Sequence, residues 1–94
     1  MDFDELNDFA DWENKRVSSF YRKTSEQMVE LDKKKISKSM KEFSSAIKKK
    51  DRFQSSKKFA EIVVFSSLLA KRLNLDITQS VENQVEMMRS RRYE

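Results

Sequence analysis

The 94-residue chain contains no cysteine, no histidine, no glycine and no proline. Without cysteine there are no disulfides and no thiolate metal sites. Without histidine the commonest zinc ligand and the usual base at neutral pH are missing. Zinc enzymology and Ser-His or Cys-His catalysis are excluded, leaving carboxylates, lysines and hydroxyls for any chemistry. The lack of glycine and proline makes two-residue hairpin turns, which need positive φ, hard to build. Every segment has helical rather than alternating periodicity, so the fold class expected is all-α. No apolar run approaches the roughly 20 residues that span a bilayer. The opening "MDFDELNDFADWE" is acidic, the reverse of a signal peptide's basic start. A soluble, cytoplasmic protein without membrane partners is the expectation.

Charge is present in quantity and is unevenly placed. The formal net charge is +4, but residues 1–14 hold six acids and no base, whereas residues 33–58 hold eleven bases against Glu42 and Asp51. That polarity favours head-to-middle contacts or an anionic partner.

Capping chemistry sets the helix boundaries. Thr24-Ser25-Glu26-Gln27, Asp51-Arg52-Phe53-Gln54 and Asp76-Ile77-Thr78-Gln79 each place a short polar acceptor three residues before a glutamine, the capping-box spacing. Asn74 suits a left-handed C-cap in a chain that has no glycine for it. The result is a single helical domain, 1–94, with helices over about 3–23, 25–49, 52–73 and 77–91.

The first helix offers Phe3, Leu6, Phe9, Ala10, Val17 and Phe20 to a core, the second Met28, Leu31, Ile36, Met40, Phe43 and Ile47, and the fourth Ile77, Val81, Val85 and Met88. The third differs: "FAEIVVFSSLLAKRL" is apolar over more than one face. A chain this short buries only about 60–65% of its unfolded surface. A thin core and a doubly apolar helix imply a homodimer or higher homo-oligomer packed through the third helix, although that helix could instead be the central one of a monomer.

Three stretches bear on activity. "ISKSMKEFSSAIKKKD" has an aliphatic residue, a pair of positions, a third position three residues later and a basic turn ending in aspartate. "KFAEIVVFSSLLAKRLNLDI" has a polar start, an apolar run, a basic residue and a turn into an aliphatic-Asp-aliphatic helix start. "SVENQVEMMRSRRYE" ends in a basic-aromatic tail. Together they resemble helices two to four of the MazG-like all-α nucleotide pyrophosphohydrolases, over about 36–94, with a weaker echo in "FADWENKR". The resemblance implies an antiparallel four-helix bundle. It also implies a Mg²⁺-dependent enzyme that cleaves nucleoside triphosphates between the α and β phosphates, giving monophosphate and pyrophosphate. Such chemistry needs several carboxylates, because magnesium takes oxygen ligands in an octahedron.

Carried over position by position, the family's paired acids fall on Lys38 and Ser39 and its third acid on Glu42. The two acids of the third-helix motif fall on Lys58 and Glu61, and the fourth-helix asparagine on Met88. Two carboxylates remain where the pattern has about five. A lysine in place of an acid opposes a cation by roughly 4 kcal/mol per unit charge at 4 Å and an effective dielectric near 20. The metal site is therefore expected to be degenerate, with Lys38, Lys58, Glu42 and Glu61 in a salt-bridge cluster, ammonium groups standing where metals would. Lys38 and Glu42 could equally be an exposed i, i+4 pair.

No cofactor is expected of such a site. Under the enzyme reading Mg²⁺ is expected on Glu42 and Glu61, helped by Glu30, Asp32 or a residue of another subunit. For the ligand, Lys38 and Lys58 could hold a nucleotide or other phosphate-bearing anion by their charge, and the resemblance adds the tail residues Arg89, Arg91, Arg92 and Tyr93. Arginine in a last helical turn also simply complements the helix dipole. Trp12 and Tyr21 could line a base pocket, although a lone tryptophan on an amphipathic helix is more often core or interface. The lysines of the second helix could bind phosphates, nucleic acid included, or be a solvated face. Three readings follow: a degenerate binding or regulatory module, a divergent but active pyrophosphohydrolase, and a basic helical adaptor for nucleic acid or a partner protein.

Overall fold

The computed structural model of the chain describes residues 3–21 and 23–90, the side chains of 18–21 excepted. Four helices follow one another, α1 (Phe3–Tyr21), α2 (Ser25–Lys48), α3 (Arg52–Arg72) and α4 (Ile77–Ser90), with no strand among the described residues. No helix of the described residues is long and apolar enough to cross a membrane.

Each helix after α1 starts on a cap. Thr24 forms the complete box: its hydroxyl accepts from the Gln27 amide at 3.2 Å while the Gln27 side chain accepts from the Thr24 amide at 3.0 Å. The Asp51 carboxylate accepts from the Gln54 amide at 3.0 Å, and that of Asp76 from the Gln79 amide at 2.9 Å. The Gln79 side chain, however, reaches forward to Asn83 at 2.7 Å.

Helix ends are solved without glycine. After α2, the Asp51 amide donates to the Ala46 carbonyl and that of Lys50 to Ile47. After α3, Leu75 donates to Ala70 and Asn74 to Lys71. Both are Schellman turns, and both need a left-handed residue. Asn74 takes that conformation at φ 58°, as its residue type suggests, but Lys50 takes it too, at φ 55°. A lysine there carries a steric cost of about 1–2 kcal/mol that asparagine bears more easily.

The two turns direct the packing. Side-chain pairs between α2 and α3 recede from the first turn in step: Glu42 with Lys58, Ser39 with Glu61, then Asp32 with Arg72. On its other flank α3 holds α1, through the Asn14 amide donating to the Leu68 carbonyl at 3.1 Å and Lys71 paired with Asp11 at 3.4 Å. The start of α4 meets α1 where the Asn7 amide donates to the Thr78 hydroxyl at 3.3 Å.

The buried apolar residues among those described are Leu6, Ala10, Met28, Ala46, Leu68 and Ile77. The core side of α2 is not the expected apolar stripe. It runs through Met28, Asp32, Ser39 and Ala46, while Met40 and Ile47 are more than half exposed. Small and hydrogen-bonded side chains line the α2–α3 seam, which turns the larger apolar ones outward. Val81, Val85 and Met88 of α4 are likewise exposed. Phe20 lies outside the described side chains.

Candidate functional site

The candidate site lies on the α2–α3 seam, one to three turns from the Lys50 turn. The Lys58 ammonium, on a side chain only 15% exposed, stands 3.3 Å from one Glu61 oxygen and 3.5 Å from Glu42. It also reaches the second Glu61 oxygen at 3.4 Å. From α2 the buried Ser39 hydroxyl donates to Glu61 at 3.2 Å. Lys58 and Glu61 are one turn apart on α3, while Ser39 and Glu42 are one turn apart on α2, so the seam brings four polar side chains to one locus.

Desolvation pulls the Lys58 ammonium's pKa down. The hydrogen bond to Glu61 and the charges of Glu42 and Glu61 outweigh it and leave the pKa raised above the ordinary 10.5. Lys58 is thus held as a cation across the neutral range. Phe65, one turn beyond Glu61, has the Lys35 ammonium 5.7 Å from its ring centre. Glu42 and Lys58 also line a pocket of about 210 Å³ that runs toward the turn, past Ser45 and Gln54.

The seam brings together three of the four residues expected there. Lys38 is a correction: it is exposed and lines a shallow groove with Glu30, Lys33, Lys34, Ser37 and Lys41. Its neighbour Ser39 is the α2 residue that turns inward. Ser39 falls seven residues after Asp32 and seven before Ala46, on one line of the helix, a spacing that could have identified it. Glu30 and Asp32 also serve other ends: Glu30 pairs with Lys33 at 3.1 Å, and the buried Asp32 accepts from the Arg72 guanidinium at 2.7 Å.

Arg89 is exposed in the last turn of α4, and Met88 is 42% exposed. Arg91, Arg92 and Tyr93 lie outside the described residues, as does the Tyr21 side chain. Trp12 is 58% exposed, its ring 6.0 Å from that of Phe9 and with the Arg16 guanidinium above it.

The donor set does not fit a divalent cation. Both carboxylates already serve one ammonium, and an ion between them would meet Lys58 at contact distance. Among the described residues no group of three or more carboxylates stands close enough to hold an ion. What the locus can do is neutralise itself and pin α2 to α3. The groove on the outer side of α2 is basic, with Lys33, Lys34, Lys38 and Lys41 exposed beside the single carboxylate of Glu30.

No protein-family model matches the chain, and neither a curated protein nor a solved structure does. The family likeness therefore rests on the motifs themselves.

Proposed function

We propose that the chain is a MazG-like domain, an antiparallel four-helix bundle in kind, that has exchanged its metal site for an internal ion-pair cluster and works as a non-catalytic binding or regulatory module. The observation that carries this reading is the Lys58 ammonium held between Glu42 and Glu61. A built-in cation removes the charge that would attract magnesium, and Ser39 takes up a Glu61 oxygen as well. A phosphate-bearing ligand, nucleotide or other anion, is drawn to the exposed lysines of α2, Lys38 among them. The module is further read as a cytoplasmic homo-oligomer built through α3.

The test is product analysis. Purified chain is incubated with NTPs and dNTPs and with Mg²⁺ or Mn²⁺, then scored for monophosphate and pyrophosphate beside Glu61→Gln. No turnover is expected, together with saturable triphosphate binding in EDTA that weakens in Lys38→Ala and in Lys41→Ala. Turnover that disappears in Glu61→Gln would restore the pyrophosphohydrolase reading. Salt-sensitive retention on DNA or RNA, without triphosphate binding, would instead make the chain a nucleic-acid adaptor.

A further inference from the structure

The end of the α2–α3 hairpin mixes cations with apolar side chains, and all of them face solvent. Residues 47–53 read Ile-Lys-Lys-Lys-Asp-Arg-Phe, and each is exposed. Phe53, in the first turn of α3, is 73% exposed, more than any other large apolar side chain among those described, and Ile47 is 55% exposed. Around them stand Lys48, Lys49, Lys50 and Arg52, none of which is ion-paired among the described residues. The one acid, Asp51, has its carboxylate engaged by the Gln54 amide as the α3 cap. α2 packs on α3 alone, and the polar contacts of α1 with α3, at Leu68 and Lys71, lie more than about 20 Å along the helix from Phe53.

Lys50 adds a second observation. It holds the left-handed conformation at φ 55° that the corresponding turn gives to Asn74 at φ 58°. Glycine or asparagine would take that conformation at less cost, so the lysine is kept there against its own preference and supplies a charge to the tip. The opposite end of the hairpin has the opposite sign. Asp4, Glu5, Asp8 and Asp11 lie on the half of α1 that meets α4 and the C-terminal end of α3, through Asn7 with Thr78 and Asp11 with Lys71. From Lys50 to Lys71 the chain runs about 30 Å along α3, well beyond the screening length of about 8 Å. An anionic surface therefore draws the basic tip and turns the acidic end away.

We infer that the hairpin tip docks on an anionic phospholipid bilayer, with Phe53 and Ile47 in the interface and Lys48, Lys49, Lys50 and Arg52 among the headgroup phosphates. Charge complementarity and shape favour that occupant. A bilayer surface takes both parts of the tip at once: apolar side chains enter the acyl boundary while long cationic stems keep their heads at the phosphates. A small anion is held in a concavity and a nucleic-acid strand along a groove, whereas these seven residues are the protruding end of two helices. The contact is peripheral and needs no spanning helix, and none of the described helices is one. It departs from the expectation of no membrane partners, which follows only from the lack of a spanning segment. It is also independent of the phosphate-bearing ligand proposed for Lys38 and Lys41, which stand two turns or more back along α2.

Co-sedimentation of the full chain with vesicles tests it, using phosphatidylcholine alone and phosphatidylcholine with phosphatidylserine at about three to one. The chain is expected to pellet with the mixed vesicles and to stay in solution with phosphatidylcholine alone. Phe53→Ala is expected to weaken binding at least about tenfold, and Lys48→Ala with Lys49→Ala about fivefold for each charge. Lys50→Gly is expected to lose about fivefold while the fold gains stability, so unfolding does not account for its loss. Lys38→Ala with Lys41→Ala is expected to lose less than the Lys48 and Lys49 pair. Because the chain has no cysteine, Phe53→Cys carries a polarity-sensitive fluorophore at the tip, which is expected to shift to the blue on mixed vesicles. The inference would be overturned by no pelleting with mixed vesicles, equal pelleting with phosphatidylcholine alone, or binding indifferent to Phe53→Ala. A fluorophore that stays in water, a loss at Lys38 and Lys41 as large as at the tip, or retention on DNA or RNA without vesicle binding would overturn it as well.

Discussion

Replacing Arg72 with methionine tests how the α2–α3 seam is held. The Arg72 side chain is 8% exposed and that of Asp32 3%, and their contact is 2.7 Å. The substitution keeps most of the stem volume but leaves a buried carboxylate without its guanidinium. Breaking such a pair from one side costs about 3–5 kcal/mol. A chain of 94 residues has a total stability of about 5–14 kcal/mol, so the loss is a large part of it. At roughly 4–8 °C per kcal/mol for a domain of this size, the melting temperature falls by at least about 12 °C.

Urea unfolding followed by far-ultraviolet circular dichroism, at one fixed chain concentration, reads the difference directly. The double variant Asp32→Leu with Arg72→Met removes both charges together and is expected to recover most of the loss, since apolar replacement of a whole buried pair is often close to neutral. An Arg72→Met loss below about 1 kcal/mol would refute the burial argument, because exposed pairs have that worth. It would also reopen Asp32 for other work.

Other perturbations separate the remaining contacts. Glu61→Ala, which strips Lys58 and Ser39 of a shared partner, is expected to lower the melting temperature more than Glu42→Ala, whose side chain is 41% exposed; the reverse order in a thermal-shift series would contradict the geometry. Because the Lys58 pKa is raised, its pairing contributes fully below the unfolded value of 10.5 and is lost as pH rises through the higher folded value. The alkaline fall in melting temperature is therefore expected to be shallower in Lys58→Met than in wild type, and parallel curves would count against the ion pair. Lys50→Gly removes the steric cost of a left-handed lysine and is expected to stabilise the chain by up to about 1 kcal/mol in urea, a gain that a strained native turn alone explains.

The local parts of the fold were legible in the residues, and the packing much less so. Thr24, Asp51 and Asp76 announce helix starts because capping is decided within four residues, and Asn74 announces its turn for the same reason. Lys50 does the same job as Asn74, with the same pair of backbone hydrogen bonds but no side chain that marks it for a left-handed conformation.

The rotation of α2 was hidden for a related reason. Hydrophobicity nominates Met40 and Ile47, but the close seam takes Ala46, Ser39 and Asp32, whose partners Glu61 and Arg72 are far along the chain. That rotation also separates Lys38 from Ser39: adjacent residues on a helix point about 100° apart, so one enters the cluster and the other faces solvent. Of the cluster, Lys58, Glu42 and Glu61 stand at motif positions that mark them in the sequence, whereas Ser39 stands at a motif position where its residue type suggests only a missing acid.

Under the proposed function Lys58 stands where a cation would have to stand, and titration of Mn²⁺ into the folded chain, followed by the electron spin resonance of the free ion, tests this. No saturable site is expected in the wild-type chain at millimolar Mn²⁺ and neutral pH. A stoichiometric site that disappears in Glu61→Gln would contradict it, showing that Lys58 swings aside to let a metal in.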